Sequence, residues 1–243
     1  MSNVLLIVEG VKTEKELFEK FYELYNKKNV EIISYGTNIY NMYNKMKKSY
    51  LSPVNPGKVD FESLDLMLFL NDYLDLQEEL DEKDFTDIIL IFDFDPQDPS
   101  FSPEILNEML EHFNDSSDKG KLYINYPMIE SFKDYNCFED TDFFESTVSF
   151  EVLTQKVGKK NLYKHQVDQK SFIKKHTDID KRIGNYLLKS NVEKTEFILK
   201  CEHHDEIYID LFAHQKIKFE SSKEIYILNS SILHLYDEYG VIT

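Results

Sequence analysis

Two unbroken apolar runs stand out along the chain, Val4 to Val8 and Ile88 to Phe92, and each ends in acid. Runs this short, rich in β-branched residues, predict strands buried on both faces rather than helices. The first leads into Glu9-Gly10. The second ends in Asp93-Phe94-Asp95, after which Pro96 and Pro99 stop the strand. Continued alternation would put Asp93 and Asp95 on one side with Phe94 turned away.

Elsewhere the period is mostly helical. Thr13 with Glu16 is a helix-start pairing, and Leu17, Phe18, Phe21, Tyr22, Leu24 and Tyr25 come after it at helical spacing. Gly10 would let the backbone turn sharply before that helix. A third strand is predicted over Val30 to Tyr35, closed by Gly36, then a helix over Ile39 to Met46 and a loop at 52–57. Residues 61–80 predict a long apolar helix carrying Leu64, Met67, Leu68 and Leu74, and the acids of 78–87 read as a solvated helix end and loop. Pro103 to Phe113 predicts a helix with proline in its first turn, and Leu122 to Tyr126 a fourth strand ending at Pro127. Glu130 then falls just past a strand end, as Glu9 and Asp93 do. Beyond about Asn136 the pattern is mainly helical, with a short strand at 224–229 and a last helix at 232–239. The fold expected is α/β: a parallel sheet between helices over 1–135, then a mainly helical part over 136–243.

The chain has 243 residues, 42% of them hydrophobic, which suffices for a core and excludes general disorder. Met1-Ser2-Asn3 leads straight into the first strand, so no leader is expected, and no apolar run approaches the roughly 20 residues of a membrane helix. With two cysteines, Cys137 and Cys201, no disulfide framework is expected; a cytoplasmic location and no membrane association are the corresponding expectations. The net charge of −17 opposes indiscriminate duplex binding, but it is segregated. Between residues 156 and 190 ten basic residues face three acids, so that window carries +7 and the remainder −24.

Carboxylates at the C-terminal ends of parallel strands lie where open α/β sheets bind ligands. Glu9, Asp93 with Asp95, and Glu130 form the donor set of a hard cation such as Mg²⁺ or Mn²⁺, suited to phosphoryl transfer. Lys12 could steady a phosphate, and Glu14 could add a second-metal ligand. His203, His204, His214 and Cys201 lack the spacing of a transition-metal site and read as ordinary side chains. No Ser-His-Asp or Cys-His grouping can be assigned.

The motif Val8-Glu9-Gly10-Val11-Lys12-Thr13-Glu14, with Phe92-Asp93-Phe94-Asp95 downstream, resembles the glutamate and Asp-x-Asp motifs of TOPRIM domains. With Glu130-Ser131-Phe132 it is most similar to nucleases of the OLD (overcoming lysogenization defect) type and to small TOPRIM effectors of anti-phage defence. The resemblance spans roughly residues 3–135. It implies a compact parallel sheet in which Glu9, Asp93 and Asp95 hold Mg²⁺, with Glu14 and Glu130 as additional ligands. The chain departs from the pattern in the long span before its central strand, where the resemblance implies an insertion at about 38–82, and it has no Gly-x-x-x-x-Gly-Lys-Ser/Thr ATPase signature.

The function expected is therefore a Mg²⁺-dependent endonuclease acting on RNA such as tRNA, or on DNA, in anti-phage defence. Catalysis would rest on Glu9, Lys12, Asp93, Asp95 and Glu130. Lys159, Lys160, Lys164, Lys174, Lys175 and Arg182 of the basic window would contact nucleic acid, with Tyr163, Phe172 and Tyr186 interleaved for stacking. A solvated helical face explains the same window equally well. Two other classes stay open: a non-catalytic TOPRIM-like partner of an ATPase from the same operon, and a small-molecule phosphatase with Asp93 as nucleophile.

Overall fold

The structure, a computed structural model, describes residues 3–27, 29–74, 76–204 and 206–240. It is an α/β fold with a mostly parallel sheet flanked by helices and a mainly helical C-terminal part. Strands β1 (Val4–Val8), β2 (Val30–Ser34), β3 (Asp87–Asp93), β4 (Asn114–Asp115) and β5 (Gly120–Asn125) form one sheet in the order β2-β1-β3-β5-β4. All pair in parallel except β4, a two-residue return that pairs antiparallel with β5. β1 and β5 are buried throughout and β3 all but its first residue, which is why β1 and β3 read as continuous apolar runs.

The chain begins at β1, crosses to β2 on one side through α1 (Thr13–Leu24), and returns past β1 to β3 through α2 (Ile39–Ser49) and α3 (Leu66–Tyr73). Parallel crossovers are right-handed, so reversing direction at β1 places α1 and the α2–α3 pair on opposite faces. The packing agrees. α1 meets α7 (Lys181–Leu199), and Phe18 and Tyr22 of α1 pack against His234 of α9 (Leu233–Tyr239); α2 meets α4 (Pro103–His112). The strand order therefore switches between β1 and β3, and a crevice opens there beyond their C-terminal ends.

Three elements differ from their sequence pattern. The helix expected over 61–80 is only α3, because Asp65 caps it by accepting from Leu68 N–H and Leu74 already takes extended backbone. Residue 75 lies outside the described residues. The helix after β1 starts at Thr13 itself, with Lys12 at the N-cap and no side-chain cap there, so Thr13 and Glu16 make no capping box. The basic window, expected within a mainly helical part, opens with a hairpin of β7 (Lys156–Val157) and β8 (Lys160–Asn161) before α6 (Leu162–Lys170), a single 3₁₀ turn and the first half of α7.

The C-terminal part returns to the sheet. β6 (Thr147–Ser149) pairs antiparallel with β9 (Glu224–Tyr226), either side of α5 (Phe150–Thr154), α6, α7 and α8 (Ile207–Ser222). Just past β5, Tyr126 and Leu228 exchange backbone hydrogen bonds of 2.8 Å each. Asp237 of α9 accepts from Tyr123 (2.7 Å) and Lys121 (3.3 Å) of β5, so the last helix is anchored to the sheet by a buried charge cluster. Among the described residues no helix is long and apolar enough to cross a membrane.

Candidate active site

At the crevice, Glu9, Gly10, Lys12, Glu14, Asp93, Asp95, Gln97, Glu130, Asn161 and Lys164 line one cleft of about 510 Å³. Every acid singled out from the sequence is therefore present in it, from three segments distant in sequence. Glu9 comes directly after β1 and Asp93 ends β3, and the strands are in direct register with Val8 opposite Ile91. Glu9 Oε2 accepts from the Asp93 backbone N–H at 3.2 Å, so the two acids adjoin.

Asp93 and Asp95 share the cleft for a reason other than strand pleating. β3 ends at Asp93, and Asp95 has a φ of 39°, so a tight turn swings its carboxylate back. Asx residues tolerate that left-handed region better than most. Phe94 between them is buried against Phe101, Tyr126, Phe212 and Phe219, which anchors the turn. Asp95 Oδ1 accepts from Gln97 Nε2 at 2.7 Å.

Gly10 has a use distinct from sharp turning. A β-carbon there would lie 2.2 Å from Glu14 Oε2, so the missing side chain is what lets the Glu14 carboxylate fold over the loop. Glu14 is 6% exposed although it lies in the first turn of α1.

Crowding of carboxylates in a buried place raises their proton affinity. Burial, then the charges of Asp95 and Glu14, lifts Glu9 to about 8 against a hydrogen bond from Asp93 that pulls it down. Burial, then Glu9 and Asp95, holds Asp93 well above the carboxylate range. Burial lifts Asp95 to about 6, opposed by Gln97 and Lys164. Burial, with Glu130, also raises Glu14. Only added positive charge would let all of these ionise together.

Part of that charge is present. Lys164, in α6, points into the cleft with Nζ 2.9 Å from Glu130 Oε1. Burial pulls its ammonium down, but Glu130, Asp93 and Asp95 outweigh this and hold it above the usual lysine value. Lys12, by contrast, has a side chain 81% exposed at the rim, 3.8 Å from Glu16.

The donor set fits a hard divalent cation: it is all oxygen, it is overcharged, and Glu130 Oε2 is buried with no hydrogen-bond partner among the described residues. As the side chains stand, among the described residues, no three of these groups converge as ligands. Glu9 leans on the Asp93 amide and Glu130 on Lys164, so ligation requires rotamer changes at both.

The other predicted contacts are dispersed or engaged. Lys160 pairs with Asp168 at 2.5 Å, Lys174 donates to the Asp168 and Gln169 carbonyls, and Arg182 lies 4.3 Å over the Phe138 ring. Lys159 and Lys175 are exposed and form no ion pair among the described residues. Tyr163 is buried and Phe172 and Tyr186 are half-buried, packed within the fold.

Sequence reasoning missed Asn125. It sits opposite Asp93 in the β3–β5 register and donates to Asp93 Oδ1 at 3.2 Å. A polar residue closing an apolar strand beside an acid-ended one was the available signal. Gln97 and Asn161 had none, since a turn and a hairpin bring them to the cleft.

No family model, curated protein or solved structure matches this chain.

Proposed function

We propose that the protein is a divalent-metal-dependent phosphodiesterase that cleaves nucleic acid. The single observation carrying this reading is the convergence of Glu9, Glu14, Asp93, Asp95 and Glu130 on one cleft at the strand-order switch of a parallel sheet. The resemblance of the Glu9 and Asp93-x-Asp95 motifs to TOPRIM nucleases, and with it a place in anti-phage defence, points the same way.

Mg²⁺ or Mn²⁺, when bound, would neutralise the phosphate and supply an activated water. Glu9, Asp93 and Asp95 are the residues to hold it, with Glu14 and Glu130 available for a second ion. Asn125 fixes Asp93 from behind, and Gln97 fixes Asp95. Gly10 to Thr13, leading into α1, present the positive end of a helix dipole to the cleft, which favours an anionic group there. Lys164 and Lys12 are the cations that can reach a phosphate in it. The strongly acidic remainder of the surface favours a structured RNA, or a substrate delivered by a partner, over open duplex DNA.

A second reading is favoured by two observations: Lys164 already pairs with Glu130, and no ligand trio is preformed among the described residues. On that reading the cleft is retained without catalysis and the protein acts by binding an ATPase.

The test is incubation of purified protein with mixed tRNA, single-stranded DNA and plasmid in Mg²⁺, Mn²⁺ or EDTA, beside Glu9→Ala and Asp93→Ala. Metal-dependent cutting absent from both variants is the expected result. Intact substrates under every condition would overturn the phosphodiesterase.

A further inference from the structure

Of the lysines and arginines in the basic window, Lys164 alone lines the acidic cleft. Its helix is held firmly in place beside it. Along α6, Asp168 pairs with Lys133 at 2.6 Å and Lys170 with Asp134 at 2.5 Å, so α6 is clamped to the 129–134 segment that carries Glu130. Glu130 and Lys164 make the third pair of this zipper, at 2.9 Å, and the only one whose members both line the cleft. The Lys164 side chain is 36% exposed, so it has room to move while its backbone stays. Glu130 keeps Oε2 buried beside it, with no hydrogen-bond partner among the described residues.

We propose that Lys164 is a resident stand-in for the metal: it pairs with Glu130 while the cleft holds no divalent cation, and is released to the substrate's phosphate when one is bound. The inference rests on the metal-dependent phosphodiesterase reading. A flexible ammonium bearing one charge can neutralise one of five carboxylates. A divalent ion at the same carboxylates repels that ammonium, and a phosphodiester entering beside them offers it a new partner. Lys164 therefore opposes metal binding and favours phosphate binding, so metal and diester promote each other's affinity through it. Opposite signs on the two ligands set this role apart from its alternatives. A residue needed only for folding would weaken both on removal, and a simple phosphate contact would leave metal affinity unchanged.

The experiment measures Mn²⁺ binding to the full chain from the paramagnetic resonance signal of free Mn²⁺. Binding of a phosphorothioate single-stranded oligonucleotide is measured by fluorescence anisotropy at saturating Mn²⁺. Lys164→Met is expected to bind Mn²⁺ about tenfold more tightly and the oligonucleotide about tenfold more weakly, while Lys164→Arg stays near wild type in both. Should Lys164→Met not fold, Lys164→Gln serves for the same comparison. Mn²⁺ affinity unchanged or weakened in a folded variant would overturn the stand-in role and leave the metal reading intact. Absence of Mn²⁺ binding by wild type and variant alike would overturn both.

Discussion

The side-chain amide of Asn125 donates to Asp93 Oδ1 at 3.2 Å, while its carbonyl oxygen accepts from the Ser231 backbone N–H, also at 3.2 Å. The C-terminal segment thereby reaches the central acid through one residue. Asn229 adds to the tie by donating to the Ile129 carbonyl (3.0 Å) and Ser131 Oγ (3.1 Å), either side of Glu130. The acidic cleft is thus braced by residues from the far end of the chain.

Asp93→Asn keeps the shape of this contact and removes a charge buried among like charges. The metal-free protein should gain stability at pH 8, since the folded state no longer has to hold a carboxyl group whose ionised form burial and the neighbouring acids oppose. Metal-dependent cleavage should fall below detection in the same variant. Urea unfolding in EDTA beside a cleavage assay checks both, and a loss of stability would contradict the crowding of charge at Asp93.

Gly10→Ala tests the close approach of Glu14. The new methyl would displace only the end of a flexible side chain, so stability should change by less than about 1 kcal/mol. Mn²⁺ affinity should drop by about tenfold, because Glu14 can no longer fold over the loop. Unaltered Mn²⁺ titrations would show that Glu14 is not a ligand.

His234 predicts acid sensitivity. It is fully buried between α1 and α9, with Nε2 3.2 Å from the Tyr22 hydroxyl, and burial lowers it to about 4. Between about 6.5 and 4 the unfolded chain takes up a proton that the folded one refuses, so stability falls as pH falls through that window. The slope from this residue is at most about 1.4 kcal/mol per pH unit. Thermal unfolding across pH 4 to 7 should show a shallower decline in His234→Gln than in wild type.

Lys159 and Arg182 should separate binding from folding. Lys159→Gln removes an exposed charge on the turn just before Asn161, which lines the cleft, and should weaken oligonucleotide binding and reduce its salt slope by about one. Arg182→Ala removes a cation stacked on Phe138 and should cost about 0.5 to 1 kcal/mol of stability with no change in binding. Anisotropy titrations at several salt concentrations, with unfolding curves, decide each case.

The local code determined a good deal. Continuous apolar runs fixed β1 and β3 as buried strands, and a strand buried on both faces needs helices on each side. An α/β sheet with acids at its strand ends was therefore legible from Val4–Val8 with Glu9 and from Ile88–Phe92 with Asp93 and Asp95. Tertiary structure decided the rest, because the deciding contacts join residues far apart in the chain. It set Asp95 beside Asp93 by a turn at positive φ where pattern alone suggests pleating. It cut the 61–80 helix to the eight residues of α3, since an Asp65 cap and an extended Leu74 outweigh apolar spacing. It turned Lys164 from one charge in a basic window into the cleft's own counter-ion. Charge counted along a sequence says nothing about direction, and the direction of a side chain is set by the packing of the helix that bears it.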